Sequence, residues 1–320
     1  MAKEGLQKGK RCHVVDCDLE KFFDTVDHQK LMSRLRQRIT DPELLELILK
    51  YLKAGAISRG GHYEKQLMGV PQGGPLSPLL ANILLDELDG ELEKRGHAFV
   101  RYADDFVILC SSPRAGARIL RSIRQFLSDK LKLIVNEAKS RVVPLREASF
   151  VGFQIVQRTV RWTPKSQMKF KEKVSKITKR TRGHSPSKMI EDLQRYVRGA
   201  FNYYGLGIRF AEARELDQWV RRRVRLYHWK QWGRPRTRRR KLLKLGIGRN
   251  EVHKASRSRK GPWRMSNNSL VKRAMNNTWL ENKGVPSLEK QWISIRYPEG
   301  PKKKNEAATS VAPNLQSPNR

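Results

Sequence analysis

Phe99-Val100-Arg101-Tyr102-Ala103-Asp104-Asp105-Phe106-Val107-Ile108-Leu109 sets two adjacent carboxylates between two apolar runs, and this stretch decides the fold. It reads as a β-hairpin of two apolar strands with Asp104 and Asp105 at the tip. Neighbouring side chains of a strand leave opposite faces. An Asp pair inside a paired strand would therefore bury one charge without a partner, which is costly. At a turn, both carboxylates can reach a common metal. A third carboxylate lies upstream, in Val14-Val15-Asp16-Cys17-Asp18-Leu19-Glu20-Lys21-Phe22-Phe23-Asp24. Strands that bring such groups together meet the needs of two-metal phosphoryl and nucleotidyl transfer, in which ions roughly 3.5–4 Å apart clamp the attacking and leaving oxygens. Taken alone, Asp-Asp in a hairpin is more often a plain turn, because Asp tolerates left-handed backbone and bonds its own chain.

The charge is unevenly placed. The 320 residues carry a net charge of +36 and are 31% charged and 38% hydrophobic. Residues 1–160 hold 26 Lys and Arg against 20 Asp and Glu, whereas residues 161–320 hold 41 against 11. A near-neutral half with clustered carboxylates thus precedes a strongly basic half, the pattern of a catalytic module joined to a polyanion-binding one. No apolar run approaches the ~20 residues that span a bilayer. The expectation is a cytoplasmic chain without signal peptide or membrane span, associated with nucleic acid. The three cysteines, Cys12, Cys17 and Cys110, sit in strand-like apolar contexts and read as small buried residues of a reducing compartment. Without a Cys-x-x-Cys pair, and with scattered histidines, no zinc site is expected; an HNH-type nuclease module is disfavoured for the same reason.

Along the chain, residues 11–18 read as a strand. Asp27 reads as the N-cap of a helix to about Ile39, and Pro42 as an early position of a second. After the glycine- and proline-rich segment 69–78 come a helix to about Lys94, the Asp104 hairpin, and an amphipathic helix from Pro113 to about Lys130. Short strands follow at Leu131–Val135, Arg141–Pro144 and Phe150–Val156. The expected class is α+β: an antiparallel sheet backed by helices over residues 1–160, then a basic helical domain. Its helices read as Lys165–Arg182, Pro186–Gly205, Arg209–Trp232 and a shorter one near Arg239–Leu245. Residues 247–300 read as a basic DNA-binding extension, and 301–320 as a disordered tail.

The ordered blocks carry a resemblance. Asp18 through Asp24, then Gly69-Val70-Pro71-Gln72-Gly73-Gly74-Pro75-Leu76-Ser77-Pro78-Leu79-Leu80, then Tyr102-Ala103-Asp104-Asp105 resemble a reverse transcriptase palm. More closely, they resemble bacterial group II intron-encoded reverse transcriptase/maturases. Tyr196-Val197-Arg198-Gly199-Ala200-Phe201-Asn202-Tyr203-Tyr204-Gly205 and His228-Trp229-Lys230-Gln231-Trp232 resemble that family's thumb/maturase region, domain X. The resemblance implies an RNA-directed DNA polymerase that also assists intron splicing and mobility. It implies two Mg²⁺ ions on Asp18, Asp104 and Asp105. Periodicity leaves Asp16 and Asp18 equivalent on one strand face; the family pattern Asp-hydrophobic-x-x-x-Phe-Asp fits Asp18. It further implies Phe23 beneath the incoming sugar, excluding a ribose 2′-hydroxyl, and Gln72 with Gly73 at the incoming nucleotide. Lys139 matches a proton donor to pyrophosphate, and Phe150, Gly152 and Phe153 a primer grip. The basic helix residues Arg221, Arg222 and Arg225 leave the Leu216/Val220/Val224 face and read as RNA contacts, as does Lys230. The implied partners are intron RNA, primer-template, dNTPs and target DNA. Asp24 and Asp27 read as capping and turn residues.

The family carries a fingers region before the Asp18 strand, and only 17 residues precede Asp18 here. The expectation is therefore a chain lacking most of the fingers, with stand-alone activity in question. Two other readings stay open at this point: an RNA-binding maturase with a decayed polymerase, and another palm reverse transcriptase of retron or diversity-generating type. Intact Asp18, Asp104 and Asp105 weigh against decay, and the basic region 165–245 against the last.

Overall fold

The computed structural model of the chain describes residues 12–57, 63–64, 68–71, 73–156 and 159–298. Gln72 and the tail 301–320 lie outside the described residues. The chain forms two compact units, Met1–Thr159 and Val160–Arg320.

The first unit is built on a four-stranded antiparallel sheet in the order β4-β5-β1-β6. Strand β1 is His13–Cys17. Three helices follow: α1 (Phe22–Thr25), α2 (His28–Arg36) and α3 (Pro42–Lys53). Asp27 caps α2 by accepting from the Lys30 amide, and Asp41 caps α3 from Glu43 and Leu44, with Pro42 in the first turn. A small antiparallel ribbon, β2 (Ala56–Ile57) and β3 (Tyr63–Glu64), leads to the long helix α4 (Ser77–Lys94). The hairpin strands are β4 (Ala98–Tyr102) and β5 (Asp105–Cys110). Helix α5 (Pro113–Phe126) ends in a wider π turn, Leu127–Leu131, and the chain returns as β6 (Arg141–Pro144).

Strand alternation gives this sheet two unlike faces. Val15, Cys17, Phe106 and Ile108 face α2, α4 and α5 in a core that includes Leu31, Leu84, Leu88 and Ile123, all buried. The opposite face carries Val14, Val107, Leu109 and Val143, a smaller apolar patch against which Val100 and Phe150 pack.

Three expectations are corrected here. Leu131, Leu133 and Val135 do point alternately into the core, but left-handed Lys132 (φ 55°) breaks the segment, which pairs only through the bridge Leu19–Val135. Phe150–Val156 is not one strand. Val151 and Gly152 both have positive φ (49° and 79°), and fold it into a tight hairpin of β7 (Ser149–Phe150) and β8 (Phe153–Val156), with Phe150 opposite Phe153. Cys17 and Cys110 are buried, but Cys12 is exposed.

Strand β9 (Thr159–Trp162) pairs next to β8 and carries the chain across the unit boundary, and the second unit is otherwise helical. Helices α6 (Pro164–Ile177), α7 (Pro186–Tyr204) and α8 (Phe210–Gln231) share a core of Phe170, Val174, Leu193, Val197, Phe201, Val220 and Val224. Six shorter helices follow: α9 (Pro235–Lys244), α10 (Arg249–Ser256), α11 (Pro262–Met265), α12 (Ser269–Ala274), α13 (Asn277–Asn282) and α14 (Leu288–Arg296). Leu280 and Leu288 complete the α6–α8 core, while Trp229 and Trp232 at the end of α8 pack with Leu242, Val252, Met265 and Val271. Residues 247–296 are therefore not an appendage. They close over the second half of α8, in which no residue from Trp219 to Trp229 is exposed.

Candidate active site

Register fixes the site. Cys17 pairs with Phe106 and Asp16 with Arg141. Asp18 directly follows β1, where the ladder to β6 gives way to the bridge Leu19–Val135, and its charge acts on Asp105. Tyr102 pairs with Asp105 across the hairpin. Tyr102 and Asp105 close the hairpin at the edge of the patch face, with the charges of Asp18 and Lys139 acting on Asp105, and Val100, Val107, Asp16 and Arg141 form the row next in. Asp104 sits in the two-residue turn after Ala103, whose φ is 54°.

The charges in these rows act on one another. Burial holds Asp105 above the usual carboxylate range, and the charges of Asp104 and Asp18 push the same way against Lys139. Asp16 is also raised, mainly by burial, with Asp105 and Asp18 adding and Arg141 opposing. Lys139 Nζ donates to both Asp18 carboxylate oxygens at 3.3 and 3.4 Å. That pair is half-open to solvent, so its worth is at most ~1 kcal/mol. The Asp18 backbone is held more firmly: its amide donates to Ser140 Oγ (3.1 Å), and its carbonyl accepts from the Asn136 amide (2.8 Å).

Among the described residues no three His, Cys, Asp or Glu side chains already form a metal cage. Mg²⁺ does not require one, because it usually rests on one or two carboxylates plus waters and substrate phosphates. Mutually repelling carboxylates that supply hard oxygen ligands suit such an ion. Asp18, Asp104 and Asp105 are the groups that would hold it.

The remaining sequence candidates divide. Phe23 lies in α1, half-buried and edge-on to Phe22 at 5.3 Å. The Val70 amide donates to the Phe23 carbonyl (2.6 Å), so the glycine-rich loop is stitched to that turn. Gly69 makes this possible: at φ 88°, an added Cβ would lie 2.7 Å from the Phe23 carbonyl oxygen. Gly73 (φ 81°) is exposed with open space around it, whereas a Cβ on Gly74 would strike the Tyr51 hydroxyl. The need for glycine at 74 is thus internal packing. Gly152 forms its hairpin turn, and Phe150 leans on the apolar patch beside the aspartate rows.

Sequence reasoning missed Arg101. Its side chain faces the helices, where a charge needs a partner. It grips Asp89 of α4 through Nε (2.8 Å) and Nη2, and Nη1 reaches Asn82 Oδ1 (2.9 Å) and the Ala103 carbonyl (3.1 Å). The turn that carries Asp104 is thereby tied to α4. An Arg on the inward phase of a strand, beside the carboxylate pair, was the available signal.

In the second unit the arginine assignments are corrected. Arg221 and Arg225 are 4% and 6% exposed. Arg221 pairs with Asp217 (2.5 Å) and Glu281 (3.0 Å), and Arg225 donates to the Met275 carbonyl (2.9 Å). Arg222 lies over the Trp263 ring at 3.7 Å and donates to the Trp263 carbonyl (3.0 Å). Successive residues step ~100° around a helix, and α8 has neighbours on nearly every side, so these arginines meet protein. Lys230 alone of the four is fully exposed. The free cations lie elsewhere: Lys165, Lys169, Lys173 and Lys176 along α6, and Arg236, Arg239, Arg240, Lys241 and Lys244 on α9. Among the described residues no helix is long and apolar enough to cross a membrane.

Comparison with known proteins matches two family models. Residues 2–155 match reverse transcriptase (RNA-dependent DNA polymerase), and residues 167–246 match the group II intron maturase-specific domain. In order along its length, the chain is thus similar to a reverse transcriptase and to the maturase-specific domain of group II introns. Protein YkfC of Escherichia coli (strain K12) is 32% identical over 184 residues, covering 47% of this chain and 48% of that protein. The group II intron-encoded protein LtrA of Lactococcus lactis subsp. cremoris is 27% identical over 206 residues, covering 44% and 34%. The matched region thus spans about half the length of the one and a third of the other. Among solved structures, apo telomerase from Candida Tropicalis aligns over 94% of this chain and 54% of that one, with TM-score 0.47 and 12% identity.

Proposed function

We propose that this chain carries RNA-directed DNA polymerisation in its first unit and intron-RNA binding in its second, acting in splicing and mobility of a group II intron. The observation that carries the reading is the cluster of Asp105, Asp18 and Lys139 beside the Asp104 turn, in which burial and the charges of Asp104 and Asp18 raise Asp105 while Lys139 bonds Asp18. Two Mg²⁺ ions bound there would lower the cost of charge on the primer 3′-hydroxyl, the α-phosphate and the departing pyrophosphate. Asp18 and Asp104 are the shared ligands in this reading, and Asp105 assists.

The chain's own groups prepare that event. Ser140 and Asn136 hold the Asp18 backbone, and Arg101 holds the Asp104 turn from behind. Lys139, paired with Asp18 in this structure, is free to turn its ammonium to pyrophosphate once a metal takes the carboxylate. Phe23 and the 69–74 loop form the side on which a dNTP would lie, with Phe23 disfavouring a 2′-hydroxyl. Phe150 and Gly152 support the primer end. The exposed lysines and arginines of α6 and α9 supply phosphate contacts for RNA, with Lys230 beside them. Target DNA joins as a later partner of the same reading.

The test is Mg²⁺-dependent dNTP incorporation on a primed RNA template by the full chain. Asp104→Asn and Asp18→Asn should each lower the rate by roughly 10²–10³-fold, the order an electrostatic group at the reacting centre is worth, with RNA affinity unchanged. Normal synthesis by either variant would refute the metal-site assignment.

A further inference from the structure

A cleft of about 800 Å³ opens in the second unit between α7, α8, α9 and the end of α13. His228 of α8 lies in its lining, 7% exposed, and its Nε2 is buried without a hydrogen-bond partner. Buried polar atoms are nearly always paired, so an orphaned nitrogen beside a cavity marks a place where something else supplies the bond. Two indoles flank it: Trp279 meets the imidazole edge-on at 5.3 Å, and Trp232 lies at 6.4 Å. The mouth is cationic, with Lys241 and Lys244 from α9 and Lys283 after α13, all exposed. The acid at the rim, Glu191, is already engaged by Lys188 and Arg195.

Polarity is graded in this cleft. Its depth offers aromatic surface and an imidazole; its mouth offers ammonium groups. Burial, with the charges of Lys283 and Lys241, lowers the His228 pKa to about 4, so the ring is neutral at physiological pH. A neutral imidazole presents a donor or an acceptor at Nε2 according to its tautomer. A site built for a bare phosphate would gain from a protonated ring, and would not need so much room. An aromatic, neutral interior with a cationic rim fits a nucleotide, whose base stacks and hydrogen-bonds while its phosphate stays outside.

We propose that this cleft takes one unpaired nucleotide of the bound RNA, with its base against Trp279 and His228 Nε2 and its phosphate among Lys241, Lys244 and Lys283. The proposal rests on the reading that the second unit binds RNA. It adds that the unit distinguishes a duplex with an extruded base from one without.

The test measures affinity of the full chain for a perfect RNA duplex and for the same duplex with a single-nucleotide bulge. Tryptophan fluorescence during titration with each nucleoside 5′-monophosphate, and with inorganic phosphate, forms a second arm. The wild type should prefer the bulged RNA by roughly tenfold, the scale of one stacked base. His228→Leu should abolish most of that preference and leave perfect-duplex affinity within about twofold, while His228→Gln, which keeps a polar end, should retain part of it. Lys244→Gln with Lys283→Gln, at exposed positions that leave the core intact, should also shrink the preference. An unchanged ratio in the lysine variant and in a folded His228→Leu would overturn the proposal. So would inorganic phosphate binding as well as the monophosphates, which would make the cleft an anion site. Loss of all RNA binding by the wild type, with monophosphate binding kept, would instead overturn the RNA-binding reading of the unit.

Discussion

Arg221 separates structural from RNA-binding arginines most sharply. Its guanidinium gives Nε to Asp217 (2.5 Å), Nη2 to Glu281 (3.0 Å) and Nη1 to the Asn277 carbonyl (3.4 Å). Arg221 and Asp217 side chains are each 5% exposed. Burial pulls the Arg221 pKa down, but the hydrogen bonds and charges of Asp217 and Glu281 outweigh it, so the ion stays charged. Asp217 also accepts from the Leu288 amide at 2.8 Å, and Glu281 is shared with Lys290. The cluster therefore ties α8 to α13 and α14. Arg221→Met would leave the Asp217 carboxylate buried with one backbone donor, and breaking one side of a buried pair costs about 3–5 kcal/mol. At roughly 2–4 °C per kcal/mol for a unit of this size, Tm should fall by roughly 6–20 °C. Asp217→Asn, which keeps an acceptor for Leu288, combined with Arg221→Met should cost less than the two singles added, because no unpaired charge remains at that pair. The assay is urea and thermal unfolding by circular dichroism, alongside RNA affinity against salt at a temperature where the variant is folded. Normal stability with weakened RNA binding, and a salt slope shallower by about one phosphate contact, would refute the argument and return Arg221 to the RNA surface.

Three further outcomes follow from the same geometry. His228 has a folded pKa of about 4 against an ordinary 6.5, so the unfolded chain binds more protons between those values and stability rises with pH there. Acidification from pH 7 to 4 should cost the second unit up to about 3 kcal/mol from this group, and His228→Gln should flatten the urea-midpoint profile over that window; Lys241, Lys283, Lys244 and Glu191 are the charged groups around the same cleft. Phe23→Ala should raise ribonucleotide relative to deoxynucleotide incorporation by roughly tenfold or more, and an unchanged ratio would return Phe23 to a packing role. Replacing Lys165, Lys169 and Lys173 of α6 with Gln should reduce the slope of log affinity against log salt by roughly 2, measured between 50 and 200 mM salt; an unaltered slope would make α6 a solvated face.

Much of the first unit was legible because its pattern has period two. Val14, Asp16 and Asp18 leave one face of β1 and Val15 and Cys17 the other, so core and site separate in the sequence itself. The caps Asp27 and Asp41 were legible because an acceptor before a helix does one local job. The turn at Val151-Gly152 was missed, since Val seldom takes positive φ and only the glycine advertised it. In the second unit, the basic residues were legible in number but not in direction. An amphipathic helix shows its polar face to water, but α8 has protein on nearly every side, and its arginines reach carbonyls, an indole and two carboxylates. The partners sit 4 to 60 positions away, at Asp217 and Glu281, and no local period encodes a contact across 60 residues.

That difference bears on how the site itself is supported. The aspartates were read as a group from adjacency and strand phase, whereas the residues that hold them were not read from the sequence. Arg101 and Asp89 lie 12 positions apart, on a strand and a helix, and their bond also fixes the Ala103 carbonyl of the Asp104 turn. Removing Arg101 would leave Asp89, half-buried, without its guanidinium and free the turn on the side away from solvent. Arg101→Lys keeps the charge but not the forked geometry that reaches Asp89, Asn82 and Ala103 together. The expected result is therefore a loss of synthesis rate with a raised Mg²⁺ requirement, and little change in RNA affinity, because the second unit keeps its cations. A Mg²⁺ requirement equal to that of the wild type in folded Arg101→Lys would mean that the turn holds its shape without the clamp.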